Sequence, residues 1–312
     1  MAEQELLEAE PIAVPADSKW IAGTSPDQPV CEAAGRILGA RLRAVCGALP
    51  LAAESSDEDV EHVHRLRISV RRAAEAVRVF SGLIEAAEVE PLRDRLQRIR
   101  LAADDARNWD VIAERLSHGA GIPARIMERI RERRREVQGP IVAAYQETMA
   151  NACEAKIEQL VQEVESHRQG DGKRRFGRQA PQYLVPVVKK FFRAAEADLT
   201  GEEALHGLRI RAKKLRYTME IVAVAFDSAF RKKLYPQVTL FQDLLGTVND
   251  HATAQTLFAD WRSKSEDAQQ EAFLAGLLVA EERAADDLRA AFRATWTPKA
   301  LSALERRFWA YC

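Results

Sequence analysis

The 312-residue chain has no long apolar run, no strand-like alternation, no paired-cysteine knuckle and almost no net charge. Each absence excludes something. None of its apolar stretches approaches the ~18–20 residues that cross a bilayer as a helix. The N-terminus is acidic and lacks the apolar centre of a secretory leader. Neither a membrane span nor a signal peptide is therefore expected. Aromatic residues make up only 7%, and no segment alternates apolar and polar residues at the period of a strand. The abundance of Ala, Leu, Glu and Arg is instead the composition of amphipathic helices. The four cysteines, Cys31, Cys46, Cys153 and Cys312, are scattered and form no C-x-x-C, so a zinc knuckle is not expected. They read as reduced thiols of an intracellular protein. No G-x-x-x-x-G-K-(S/T) loop occurs, and no cofactor is expected. The formal net charge of −1 gives no overall attraction to nucleic acid or membrane, so any basic site has to be local.

The apolar content, 47%, is enough to build the core of one large domain or two small ones. Residues 1–30, rich in Pro, Ser and Asp without periodicity, read as a linker or flexible N-terminal arm. From Cys31 on, the spacing predicts helices over 31–49, 57–83, 89–104, 108–117, 123–168, 180–199, 202–226, 229–245, 249–263, 266–293 and 298–311, with a kink or break at Pro140. The Gly- and charge-rich "SHRQGDGKRRFGRQAP" at 166–181 divides the chain into halves, 31–170 and 171–312.

Against the neutral background, positive charge is concentrated twice. "VHRLRISVRR" (63–72) and "LHGLRIRAKK" (205–214) repeat one pattern, aligning His64 with His206, Arg67 with Arg209, Arg71 with Lys213 and Arg72 with Lys214. Each half later reaches an Asp after an Asn, Asp110 in "ARNWDV" and Asp250 in "GTVNDH". On a helix, Arg67, Arg71 and Arg78 fall within about 60° of His64, apart from an apolar face of Val63, Leu66, Val70, Ala73 and Val77. His206, Arg209, Lys213 and Arg216 form the matching stripe, joined by Tyr217, beside Leu205, Leu208, Ala212, Leu215 and Met219. Because the basic stripe lies beside the packing face, it should line a seam between helices. Cations at this spacing repel unless something negative sits among them. Internal carboxylates or an anionic ligand would serve, but five cations and no acid lie between Leu205 and Arg216, too many for complete internal pairing. Cations around His64 and His206 should keep both imidazoles neutral, as hydrogen-bonding groups rather than catalytic bases.

At "VHRLRISVRR", "LHGLRIRAKKLRY", "ARNWDV" and "LLGTVND" the sequence resembles the CHAD family, the conserved-histidine α-helical domain, over roughly residues 31–312. The resemblance implies an all-α fold of two helical-bundle halves related by a pseudo-twofold axis, around a central basic cavity or pore that binds inorganic polyphosphate. It carries binding roles to His64, Arg67, Arg71, Arg72, Arg78, His206, Arg209, Lys213, Lys214 and Arg216. It extends them to Arg36, Arg41, Lys189 and Lys190 on the opening helices, where the spacing of the two halves matches less well. The expected location is cytoplasmic, beside polyphosphate granules. Such domains often follow a triphosphate-tunnel domain, which is expected to be absent here because thirty residues cannot form its barrel.

Other functions predict other features. A phosphohydrolase or phosphotransferase needs carboxylates free to hold Mg²⁺, for which Asp104, Asp105 and Asp110 are the candidates. Their competing role is to pair with the basic stripe. A single-stranded nucleic-acid binder interleaves cations with stacking aromatics, and the stripes offer only Tyr217. No specific nucleic-acid partner and no membrane partner is expected. A purely structural scaffold would need no uncompensated charge.

Overall fold

Apolar residues spaced three and four apart are buried by helices, and the long periodic stretches all fold that way. The computed structural model describes residues 18–117, 121–150, 152–167 and 170–312. Its α-helices are α1 (Val30–Glu54), α2 (Glu61–Val79), α3 (Ala86–Ser117), α4 (Ala124–Ala150), α5 (Cys153–Ser166), α6 (Phe176–Ala195), α7 (Glu202–Val222), α8 (Tyr235–Ser263), α9 (Ala268–Thr295) and α10 (Pro298–Trp309). No strand forms among the described residues; an isolated bridge joins Pro29 to Arg175. No described helix is long and apolar enough to cross a membrane.

The order of packing repeats. α1 lies on α2, α2 on α3 and α3 on α4; later α6 lies on α7, α7 on α8 and α8 on α9. α2 and α7 meet in the middle. α5 returns along α1, where Gly35 and Gly39 make room for it: a Cβ on Gly35 would stand 2.6 Å from Glu165 Cγ, and one on Gly39 2.9 Å from a Val161 methyl.

Three expected helix boundaries are corrected. The stretches 89–104 and 108–117 are one helix, α3, and 249–263 continues without a break from the stretch before it in α8. The break expected at Pro140 falls instead at Ala152, whose φ is +47°. α4 runs through Pro140 because Val137, Ile141, Ala144 and Tyr145 anchor both sides of it to the main core, offsetting the lost backbone hydrogen bond. The reading of four reduced thiols is also corrected. Cys46 of α1 and Cys153 of α5 are joined in a disulfide, while Cys31 and Cys312 are not disulfide-bonded. The scattered spacing hid this because the pairing arises from α5 folding back over α1.

One buried ionic cluster ties the two halves together. Glu220, 3% exposed, accepts from Arg72 Nε at 2.7 Å and from the Tyr235 hydroxyl at 2.6 Å. Arg216 stands 3.4 Å and Arg41 3.9 Å from the same carboxylate. Through its two terminal nitrogens Arg41 also donates to the backbone carbonyls of Ser18 (2.6 Å) and Lys19 (2.8 Å). Trp20 packs edge-on against Tyr235, with ring centroids 5.0 Å apart. Of the expected N-terminal arm, residues 1–17 lie outside the described residues, and 18–29 lie against this cluster and the turn before α6.

Removing the acid would strand buried cations, a loss of about 3–5 kcal/mol. Glu220→Ala is therefore expected to lower the urea midpoint far more than Glu154→Ala, which breaks an exposed pair with Arg43 worth ~0–1 kcal/mol. Similar midpoints for the two variants would refute a structural role for the cluster.

Candidate functional site

The apolar faces of α2 and α7 pack as their spacing predicts: Val63, Leu66, Val70, Ala73, Val77, Leu205, Leu208, Ala212, Leu215 and Met219 are all buried. This leaves the neighbouring stripes along a groove of about 510 Å³ between α2, α3 and α7. The groove is lined by Arg71, Arg78, Arg93, Arg100, Arg209, Lys213 and Lys214, seven basic side chains, against the two carboxylates Glu75 and Asp104. His206, Gln97 and Tyr217 complete its polar wall.

Asp104 is the internal counter-charge. It accepts from Arg67 Nε at 2.7 Å and from an Arg71 terminal nitrogen at 2.6 Å. Burial alone would raise its carboxyl, but Arg71 and Arg67 outweigh that and hold it below the usual carboxylate range. Glu75 is taken by Arg78 at 2.6 Å and by the Thr218 hydroxyl at 2.5 Å. Arg209 and His206 share Asn249: its Oδ1 accepts from Arg209 at 2.7 Å and lies 3.0 Å from His206 Nδ1. The Nε atoms of Arg71 and Arg209 are buried without a partner.

Lys213 has no hydrogen bond or ion pair among the described residues. Burial, then Arg71, Arg209 and Arg67, pushes its ammonium down to about 6. Lys214 is lowered by burial and by Arg78, and Arg209 by burial and then, against the pull of Asp250, by Arg71 and Arg67. His64 sits half-buried beside Arg67 and Arg107. Burial and these cations lower its imidazole, and its Nδ1 lacks a partner. Burial is the larger cause, where the sequence had pointed to the cations.

The structure does not bring every candidate here. Arg72, Arg41 and Arg216 belong to the Glu220 cluster, turned away from the groove. Arg36 is exposed and lies over Gly23. Lys190 approaches Lys214 at the groove edge, whereas Lys189 faces Cys312. Arg93, Gln97, Arg100 and Arg107 of α3 were missed. Their signal was the 93–97–100–104–107 spacing, which places them with Asp104 on one helix face.

A second, smaller core explains the Asn–Asp motifs. It joins the far end of the α3–α4 hairpin to that of the α8–α9 hairpin through Ile112, Leu116, Ile126, Ile130, Ala254, Phe258, Trp261 and Leu274. Trp109 stacks on Trp261 at 5.8 Å, and Arg115, His251 and Glu281 form a cross-hairpin cluster. Between the two cores α3 presents Arg107 and Asn108, and α8 presents Asn249 and Asp250. Few apolar residues fall in these crossings, so the sequence looked broken where the helices in fact continue. Asp110, in the same region, is raised by burial although Arg134 bonds it at 2.9 Å.

The sequence pattern of the CHAD domain matches residues 36–259. The chain belongs to the CHAD family. Its fold is similar to that of the crystal structure of the CHAD domain from the plant Ricinus communis, with a TM-score of 0.69 and 21% identity over 90% of this chain and 97% of that one. PptA from Streptomyces chartreusis is similar at a TM-score of 0.58 and 17% identity, over 86% and 99%. No curated protein sequence matches.

The depressed lysine has a measurable sign. Lys213 titrates at about 6 in the folded CHAD domain and at about 10.4 when unfolded. Between those values the unfolded chain binds the extra proton, so this residue makes stability rise with pH, and its cost is complete below about pH 6. Lys213→Met is expected to be more stable than wild type at pH 6, with the gap narrowing toward pH 9 in denaturant titrations. A gap constant across that range would contradict the assignment.

Proposed function

We propose that the CHAD domain binds inorganic polyphosphate in this groove and does not turn it over. The observation that carries this reading is the excess of seven basic side chains over two carboxylates along one track. A linear polyanion needs many positive contacts and no sequence readout. Arginine supplies bidentate contacts to phosphate oxygens, and lysine supplies point charges. The buried, under-partnered donors of Arg71, Arg209 and Lys213 are costly in the free protein, and phosphate oxygens would satisfy them. In this reading residues 31–312 form one unit of two pseudo-twofold-related halves, and the polar band between the two cores is its central pore.

Of the carboxylates that a phosphoryl-transfer site would give to Mg²⁺, Asp104 is engaged by two arginines and Asp110 by Arg134 through one oxygen. Asp105 makes no ion pair among the described residues but has no further ligands around it: the described residues hold no group of three or more His, Cys, Asp or Glu that could bind a metal ion. Phosphate release from long-chain polyphosphate is therefore expected to stay at background with or without Mg²⁺. Release that depends on Mg²⁺ would replace the binding reading with the hydrolase.

Titration with long-chain polyphosphate tests the site. Arg67→Glu and Lys213→Glu are each expected to weaken binding roughly tenfold or more, because a charge-assisted contact contributes about 1.5–3 kcal/mol. Arg131→Glu, at an exposed position on α4, should change little. Affinity should also fall steeply with salt, as counterions released on binding must be displaced again. Equal affinities for the three variants, with circular dichroism unchanged, would show that the stripes are not the site.

A further inference from the structure

The groove is not equally basic on its two sides. α3 carries Arg93, Gln97, Arg100, Asp104 and Arg107 at alternating spacings of four and three, one continuous face whose basic and amide members are Arg93, Gln97, Arg100 and Arg107. Three of them, Arg93, Gln97 and Arg100, line the groove together with Lys214 and Arg78. Arg100 makes no hydrogen bond or ion pair among the described residues. Among the described residues Arg93 is held by Glu90 alone, one turn away and 70% exposed, and an exposed pair of this kind is weak and readily exchanged. The other arginines at this level of α3, Arg95 and Arg98, point to a different face, toward Glu147 of α4. α8 packs on α7 as α3 packs on α2, but it offers nothing comparable: no Lys or Arg occurs from Leu234 to Trp261.

Resting on the polyphosphate reading above, we infer that Arg93, Gln97 and Arg100 form a one-sided extension of the track, so that the site distinguishes long chains from short ones. A short oligophosphate is satisfied at the α2–α7 seam by Arg71, Arg209 and Lys213. A longer chain leaves the seam along α3, where basic side chains continue, and not along α8, where no Lys or Arg occurs before Arg262. The discrimination needs no pocket of fixed length. It arises because contacts on α3 are reached only by phosphates that the seam cannot hold.

The test compares the wild-type full chain with Arg93→Glu/Arg100→Glu, titrated with tripolyphosphate and with long-chain polyphosphate at ~0.15 M salt, where charges more than about 8 Å away are screened. Arg95→Glu/Arg98→Glu changes the same charge on the other face and is the control. The expected result is a loss of roughly tenfold or more for the long chain in the first variant, little change for tripolyphosphate, and little change for either ligand in the control. Equal losses at both lengths, no loss, or an equal loss in the control would each overturn the extension. If the first variant does not fold by circular dichroism, Arg100→Gln replaces it, with a smaller loss confined to the long chain expected. Failure of the wild type to bind either ligand would instead sink the polyphosphate reading itself.

Discussion

The contact between Arg72 and Glu220 across the α2–α7 seam is the constraint on which the groove depends. Successive residues of a helix point about 100° apart. With Arg72 fixed on a buried carboxylate, its neighbour Arg71 is aimed into the groove, where Asp104 meets it. A buried ion pair contributes little net stability, because desolvation offsets much of the attraction. What it supplies here is rotational setting: it determines which arginine of an adjacent pair is structural and which is presented. Arg216 and Arg41 reinforce the same carboxylate, and through Arg41 the setting reaches the chain segment at Ser18 and Lys19.

This division could not be read from the sequence. Helical spacing was enough to identify α2 and α7, their apolar faces and the stripe containing Arg67, Arg71, Arg209 and Lys213. These features depend on local period alone, and burial on one side forces them. Spacing could not separate Arg71 from Arg72, because the distinction lies in Glu220, 148 residues away along the chain. Arg41 and Arg216 looked like site residues for the same reason. The α3 arginines were legible as a 4–3 repeat but were passed over, since "RDRLQRIR" also carries Arg95 and Arg98 on another face and reads as a generally charged helix. The breaks predicted at 105–107 and 246–248 fall at or just before the polar crossings Arg107–Asn108 and Asn249–Asp250, where apolar periodicity lapses. It lapses because these residues face neither core.

The groove is held in an electrostatically unfavourable state by favourable packing beside it. Lys213, Arg71 and Arg209 sit close enough that burial and mutual repulsion lower the ammonium of Lys213 into the physiological range. The apolar faces of the same helices, completely buried, keep these groups from moving apart. Above about pH 6 Lys213 relieves part of that repulsion by shedding its proton, and an incoming polyanion would offset what remains and favour the ammonium again. The cavity is therefore organised for negative charge before any arrives, and less of the binding free energy goes into ordering it.

The separation of the apolar interior into two pieces has a consequence for motion. α2 and α7 belong wholly to the large core, whereas the outer turns of α3, α4, α8 and α9 rest on eight buried side chains of the small one. Local opening costs least where the fewest apolar contacts are lost. The hairpin ends can therefore part without melting the bundle, and their backbone amides should exchange with deuterium sooner than those along α2 and α7. The basic track, its α3 wall included, rests on the large core and lies on the slow-exchanging side, and the region beyond the Asn–Asp crossings belongs to the fast one, so the track stays rigid while the hairpin ends breathe.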